Sequence, residues 1–162
     1  MRLFIAAELD ENAREAFASM QTQLRRAGVG GNYTKRENLH ITLAFIGEYG
    51  DSEKILRLLS SLETPPMTIT PEGFGAFDGL WWAGIEKNAA LENYVRRLRR
   101  ALAENGVPFD KKRFSPHVTL IRRPDRAAMP ALSVPQGIVS PVTVSLMRSD
   151  RGKYGMIYTR IE

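Results

Sequence analysis

The sequence predicts an α+β protein of two pseudo-symmetric lobes, with mainly antiparallel sheets around a central cleft. Three observations predict it. The only two histidines of the 162 residues lie in like-patterned stretches, Leu39-His40-Ile41-Thr42-Leu43 and Pro116-His117-Val118-Thr119-Leu120. A strand, a long amphipathic helix and a histidine strand follow one another in Arg2 to Gly47 and again in Leu80 to Arg122, at similar spacing. The chain then closes on two alternating segments that read as a hairpin. Two copies of one unit do not make a solenoid; they imply lobes related by an approximate two-fold axis, with the histidine strands facing across the cleft.

Taken in order, Arg2 to Glu8 is an apolar first strand. Asp10 suits an N-cap, and Ala13, Ala16, Phe17, Met20 and Leu24 recur at helical spacing until Gly28 stops the helix. A turn-rich stretch to Asn32 and the segment Tyr33 to Asn38 lead into the first histidine strand, Leu39 to Gly47. Asp51 or Ser52 caps a short helix with Ile55, Leu58, Leu59 and Leu62 inward, and Pro65 and Pro66 forbid its continuation. Met67 to Thr70 and Gly73 to Phe77 are edge segments broken by Pro71, Gly73 and Gly75. Leu80 to Glu86 is a better strand, with Trp81 and Trp82 on opposite faces.

A second long helix is predicted from Asn88 to Asn105, with Leu91, Tyr94, Val95, Leu98, Ala101 and Leu102 inward and Gly106 as its stop. Ser115 to Arg122 is the second histidine strand. A proline-rich loop follows, with one helical turn expected near Arg126 to Leu132. Pro141 to Arg148 and Tyr154 to Ile161 form the closing hairpin around the turn Asp150-Arg151-Gly152.

Composition narrows the class. A hydrophobic content of 43% with 25% charged residues is that of a soluble globular protein, and one two-lobed domain over residues 1–162 is expected. Cysteine is absent, which excludes disulfides and thiolate metal sites and suits a reducing cytoplasm. The N-terminal apolar run is too short for a signal peptide or a membrane span. The net charge is +5, and its distribution is uneven. Leu91 to Arg126 holds ten Lys or Arg against four Asp or Glu, and this excess surrounds the second histidine motif. An anionic partner such as a phosphate or nucleic acid follows, although Arg96, Arg97, Arg99 and Arg100 equally describe a solvated helix face.

In a strand, alternate side chains share a face. His40 and Thr42 therefore point one way, as do His117 and Thr119, while Ile41, Leu43 and Phe45 form an apolar backing. Each motif offers an imidazole and a hydroxyl about 6 to 7 Å apart along one face. Two imidazoles that titrate near neutrality can act as a base and an acid on one reaction. Hydrolysis of a cyclic phosphodiester needs both: one deprotonates the attacking water and the other protonates the departing oxygen. The threonines can bind nonbridging oxygens, and a nearby Arg can stabilise transition-state charge. Other chemistries fit less well. A mononuclear metal site usually wants three protein ligands, and neither motif supplies a carboxylate. No nucleophile elbow marks a serine triad. Two core histidines satisfied by hydrogen bonds would not need the repeated threonine.

The paired H-x-T-L motifs, with Arg36-Glu37-Asn38-Leu39-His40 and Phe114-Ser115-Pro116-His117 around them, resemble the two-histidine (2H) phosphoesterase superfamily, in particular its RNA 2',3'-cyclic phosphodiesterase branch, also called 2'-5' RNA ligases. The opening Arg2-Leu3-Phe4-Ile5-Ala6 and the strand Trp82-Ala83-Gly84 extend the resemblance over nearly the whole chain. It implies a bilobal LigT-like fold and metal-independent hydrolysis of RNA 2',3'-cyclic phosphate ends to 2'-phosphomonoesters, with 2'-5' ligation as the reverse activity and no cofactor. It implies His40 as proton donor to the leaving 3'-oxygen and His117 as proton acceptor from water, with Thr42, Thr119 and Arg122 binding phosphate. Strict alternation puts Arg122 on the face opposite His117, so either the strand bends or bulges near Ile121 or the Arg reaches round its end; Arg123 has the better parity but not the family position.

Tyr33, Lys35, Arg36, Phe114 and Arg123 are further candidates for contact with RNA, the aromatics by stacking and the cations on the backbone, with buried core the favoured reading of Phe114. The expected partner is RNA with a 2',3'-cyclic phosphate end, tRNA fragments among them, met by a monomer in the cytoplasm without membrane contact. Two other readings stand beside this one: a 2H enzyme for a small cyclic nucleotide such as an ADP-ribose cyclic phosphate, and a basic RNA-binding module without turnover.

Overall fold

Both long helices start where a side chain can satisfy the orphan amides of their first turn. In the computed structural model, which describes residues 1–77 and 79–162, Asp10 accepts from the Ala13 backbone N–H and begins α1 (Glu11–Arg26). Asn88 accepts from that of Leu91 and begins α3 (Ala89–Glu104). Each helix has 16 residues, and the two caps lie 78 residues apart. Their apolar stripes are the expected ones, with Phe17, Met20, Leu91, Tyr94 and Leu98 all fully buried. The short α2 (Ser52–Ser61) is capped by Asp51 and buries Ile55 and Leu58.

The strands are β1 (Arg2–Glu8), β2 (Asn32–Tyr33), β3 (His40–Glu48), β4 (Thr68–Ile69), β5 (Pro71–Phe77), β6 (Leu80–Ile85), β7 (Val118–Arg122), β8 (Ser140–Pro141), β9 (Thr143–Gly152) and β10 (Gly155–Ile161). Antiparallel pairing gives the order β10-β9-β1-β3-β7-β6-β5, with β2 also on β7 and a separate β4–β8 pair. The repeated units are β1-α1-β3 and β6-α3-β7. They meet at the centre, where β3 and β7 share only the pair Ile41↔Val118. Two half-sheets that touch at one point and diverge leave a cleft between their faces.

Each histidine strand carries a bulge at the same place. Ile5 pairs with Ala44 but Ala6 with Thr42, leaving Leu43 extra; Trp81 pairs with Ile121 but Trp82 with Thr119, leaving Leu120 extra. Leu43 and Leu120 each stand three residues after their histidine, and both are fully buried. A bulge interrupts the regular ladder at its extra residue. Side chains from the opposite unit reach both bulge carbonyls: Gln21 on α1 donates to Leu120 O (2.9 Å), which also accepts from the Thr34 backbone N–H, and to Thr34 O (2.7 Å), and Arg99 on α3 donates to Leu43 O (3.2 Å) and Lys112 O (2.6 Å). Gln21 and Arg99 are equivalent helix positions, and Thr34 and Lys112 lie in the corresponding segments ahead of the two histidines. The two-fold relation therefore extends to a reciprocal clasp between the halves. Gln21→Leu keeps the volume and removes both hydrogen bonds of one clasp; the expected loss is about 1–3 kcal/mol, read as a lower urea midpoint at constant slope.

Three expectations are corrected. No helical turn forms in residues 126–132: Pro130 disfavours a helical Met129, and Gln23 pins the segment to α1 through both backbone groups of Ser133. The closing hairpin turns two residues later than expected, at Lys153-Tyr154, because Gly152 pairs with Gly155 and Asp150 with Ile157. Arg151 is therefore a strand residue. The second histidine strand starts at Val118 rather than Ser115, since Pro116 has no N–H to give a ladder. Among the described residues, no helix is long and apolar enough to cross a membrane.

Candidate active site

The bulges decide what faces the cleft. Past Leu43 and Leu120 the alternation of side chains flips, so the fifth residue after each histidine returns to the histidine's face. Those residues are Phe45 and Arg122. Both line one cavity of about 560 Å³ together with His40, Thr42, His117 and Thr119. Phe45, expected in the apolar backing, is instead 51% exposed. Arg123 has a positive φ of 52°, donates its N–H to Gly79 O and lines a different cavity with Pro124 and Arg126. Of the two neighbouring arginines, Arg122 is thus the one that lines the cleft.

The two imidazoles are held alike. His40 Nδ1 lies 2.6 Å from Asn38 O, and His117 Nδ1 lies 2.8 Å from Ser115 O. A carbonyl only accepts, so Nδ1 carries the proton in each neutral ring and Nε2 is left as the basic nitrogen. His40 Nε2 is 2.8 Å from Thr42 Oγ1, closer than the strand spacing implies because the ring leans along the strand. A single turn of 3₁₀ helix, Arg36–Asn38, sets the Asn38 carbonyl, and the Asn38 amide donates to Met156 O at 3.0 Å. His40 packs against Phe4 and edge-on against Tyr158, with ring centroids 5.1 and 5.4 Å away. His117 stands edge-on to Phe77 at 5.1 Å and beside Trp82 at 6.5 Å. Trp82 itself lies on Gly75, where a Cβ would come within 2.4 Å of the indole; only glycine leaves room for that packing.

Burial holds both imidazoles below the usual histidine value, against the pull of their backbone carbonyls. The positive charge of Arg122 depresses both further, and His40 also feels His117. The rings are therefore electrostatically coupled, with Arg122 acting on each. Among the described residues no three His, Cys, Asp or Glu side chains gather as a ligand set for a metal.

The remaining candidates do not reach the cleft. Tyr33 donates its hydroxyl to Val29 O at 2.6 Å and lies under the Arg25 guanidinium. Arg36 is ion-paired with Glu11 and Glu15 and anchors the 3₁₀ turn to α1. Phe114 packs on the core near Arg99. Lys35 lies against Gly155 of the hairpin. Part of the basic excess read from the sequence serves structure too, since Arg97 and Arg99 donate to backbone carbonyls. The cleft's lining cations are Arg2, Arg122 and Arg151. Arg2, Arg151 and Tyr158 are lining residues the sequence reading missed. The parity of β1 with β9 signals Arg2, but Arg151 is hidden by the misplaced turn.

A family model described as the 2'-5' RNA ligase superfamily matches residues 9–148. The chain belongs to the 2'-5' RNA ligase superfamily. It is 32% identical to an RNA 2',3'-cyclic phosphodiesterase of Thermotoga maritima over 75% of this chain and 70% of the relative. It is 33% identical to a Thermus thermophilus protein of the same name, over 100% of this chain and 88% of the relative. The crystal structure of E. coli LigT complexed with 3'-AMP superposes with a TM-score of 0.83 at 25% identity, covering 99% of this chain and 94% of LigT. The resemblance drawn from the two motifs and the LigT-like fold both hold.

Proposed function

We propose that this chain is an RNA 2',3'-cyclic phosphodiesterase that uses His40 and His117 as general acid and base and needs no metal. The observation that carries the reading is the convergence of two Nε2-basic imidazoles, two threonines and Arg122 on one cleft. The named activity of the relatives supports the substrate class.

In the proposed reaction, neutral His117 takes a proton at Nε2 from water as its oxygen attacks phosphorus. The P–O3' bond breaks on the far side, protonated His40 gives its Nε2 proton to O3', and the phosphate stays on O2'. The histidines exchange charge states and reset through solvent. The Thr42 and Thr119 hydroxyls donate to nonbridging oxygens, and Arg122 meets the charge that gathers in the transition state. When His40 is protonated, its Nε2–H can donate and the Thr42 hydroxyl is released towards phosphate. A 5'-hydroxyl in place of water would yield a 2'-5' linkage by the same transfers. We further propose a cytoplasmic monomer with tRNA fragments among its substrates.

The lowered imidazole affinities fix the sign of the pH dependence. The productive form has His40 protonated and His117 neutral, so kcat/KM falls on the acid side as His117 gains a proton and on the basic side as His40 loses one. With both held below 6.5, the free-enzyme bell should peak on the acid side of neutrality. Bound phosphate favours imidazolium, so the basic limb of kcat should lie at higher pH than that of kcat/KM. A profile of both constants from acid to alkaline pH checks this.

The deciding experiment is product analysis with an oligoribonucleotide ending in a 2',3'-cyclic phosphate, in excess EDTA. A 2'-phosphate product is expected. A 3'-phosphate would reverse the leaving group, and turnover lost with EDTA and restored by a divalent cation would reject the metal-free scheme.

A further inference from the structure

The phosphate centre is nearly symmetric: each half brings a histidine, a threonine and a bulged strand, and each Nδ1 is tied to the carbonyl two residues back. A symmetric centre does not by itself say on which side the body of a substrate lies. The rest of the cleft is not symmetric. Beyond His40 its wall is β1, β9 and β10, contributing Arg2, Ser149, Arg151, Met156 and Tyr158 to the lining. Beyond His117 the neighbours are Phe77 and Trp82, with no Lys or Arg of β5 or β6 among the described lining residues.

Register places the hairpin residues together. Arg2 pairs with Ser149 and Ser149 with Tyr158, while Arg151 and Met156 pair two positions along, on the same face. Tyr158 touches His40, and Arg2 and Arg122 both lie near enough to act on its hydroxyl. Neither Arg2 nor Arg151 forms an ion pair among the described residues. The one carboxylate among the described lining residues, Asp110, accepts from the Lys112 backbone N–H. The wall is also bound to the centre: the Asn38 carbonyl holds His40 while its amide holds Met156 O.

We infer that Arg2 and Arg151 on the β1–β9–β10 wall grip the phosphodiester 5' to the reacting nucleotide, so that the site selects polynucleotide ends over mononucleotides. This rests on the proposed function and extends it to a second phosphate. The strand then leaves over the hairpin on His40's side, which puts the ribose and its departing O3' next to His40 and leaves His117 to water. That orientation follows from where the unpaired cations stand, independently of the roles implied by family resemblance.

The test compares adenosine 2',3'-cyclic monophosphate with an RNA tetranucleotide carrying the same end. Wild-type protein is expected to show a higher kcat/KM on the tetranucleotide. The Arg2→Gln/Arg151→Gln pair should lower that constant by about tenfold per lost contact, through KM, and at least tenfold more than on the mononucleotide. The salt dependence on the tetranucleotide should become shallower by about 0.7 in log–log slope per contact. Arg2→Lys/Arg151→Lys should keep the slope, and circular dichroism checks the fold of each variant. Binding of the 2'-phosphate tetranucleotide against 2'-AMP reads the same preference without turnover. Equal wild-type use of both lengths, or equal losses on both, overturns the inference. A wild type that binds by length but turns over neither substrate overturns the proposed function instead.

Discussion

His117→Ala is expected to lower kcat by about 10² to 10⁴-fold while leaving the protein folded, and His40→Ala to do the same for a different reason. Both rings are only partly buried, and their neighbours Phe4, Tyr158, Phe77 and Trp82 pack with one another or with the sheet, so removing an imidazole leaves the core intact. The two variants are separable by the leaving group. An acid is needed only where the departing oxygen is basic, as a ribose hydroxyl is. On a nitrophenyl phosphodiester the departing phenolate needs no proton, so His40→Ala should regain most of its loss and His117→Ala should not. Each variant should also flatten one limb of the pH profile: the acid limb for His117→Ala, the basic limb for His40→Ala. Unchanged rates in either variant, or equal rescue of both, would remove the assigned division of labour.

Much of this arrangement was legible in the sequence because it repeats. Two copies of His-x-Thr-Leu, each preceded by a capped helix with an apolar stripe, fix the pairing of units, and the observed helices start at Glu11 and Ala89 as the caps Asp10 and Asn88 require. What escaped was whatever depends on a departure from period two. Strict alternation puts Phe45 in the apolar backing, and only the extra residue at Leu43 turns it into the cleft. On the other copy the wrong parity of Arg122 leaves a bulge as one of two ways to reach the cleft, and the same departure on the first copy is what places Phe45 there.

The aromatic and basic candidates stand outside the cleft lining for another reason. Nearness in sequence to a motif is not nearness to its functional face: Tyr33 and Arg36 precede His40 but serve α1 and the loop after it. The reciprocal clasp of Gln21 and Arg99 had no sequence signal, since a buried Gln and a half-buried Arg look alike only once the carbonyls they hold are known.

Arg122→Ala is expected to cost about 10² to 10³-fold in kcat, on the scale of removing a donor that meets charge formed in the transition state. The guanidinium is placed by the Leu120 bulge on the face that carries His117 and Thr119, and its charge is felt by both imidazoles and by Tyr158. That position has two consequences with opposite signs. Losing the charge removes stabilisation of the phosphorane-like oxygens, which lowers the rate at every pH. It also lifts the electrostatic pressure on both rings, so their proton affinities rise and the whole bell should move to higher pH as it shrinks. Arg122→Lys keeps the charge but not the planar fork, and should hold the bell in place while recovering only part of the rate. Arg123→Ala is the control, because Arg123 turns into the other cavity; its rate and its bell should match wild type. A fall in rate without the alkaline shift would mean that Arg122 binds substrate from outside the reach of the histidines, and a large loss in Arg123→Ala would mean that the bulge does not set which arginine faces the phosphate.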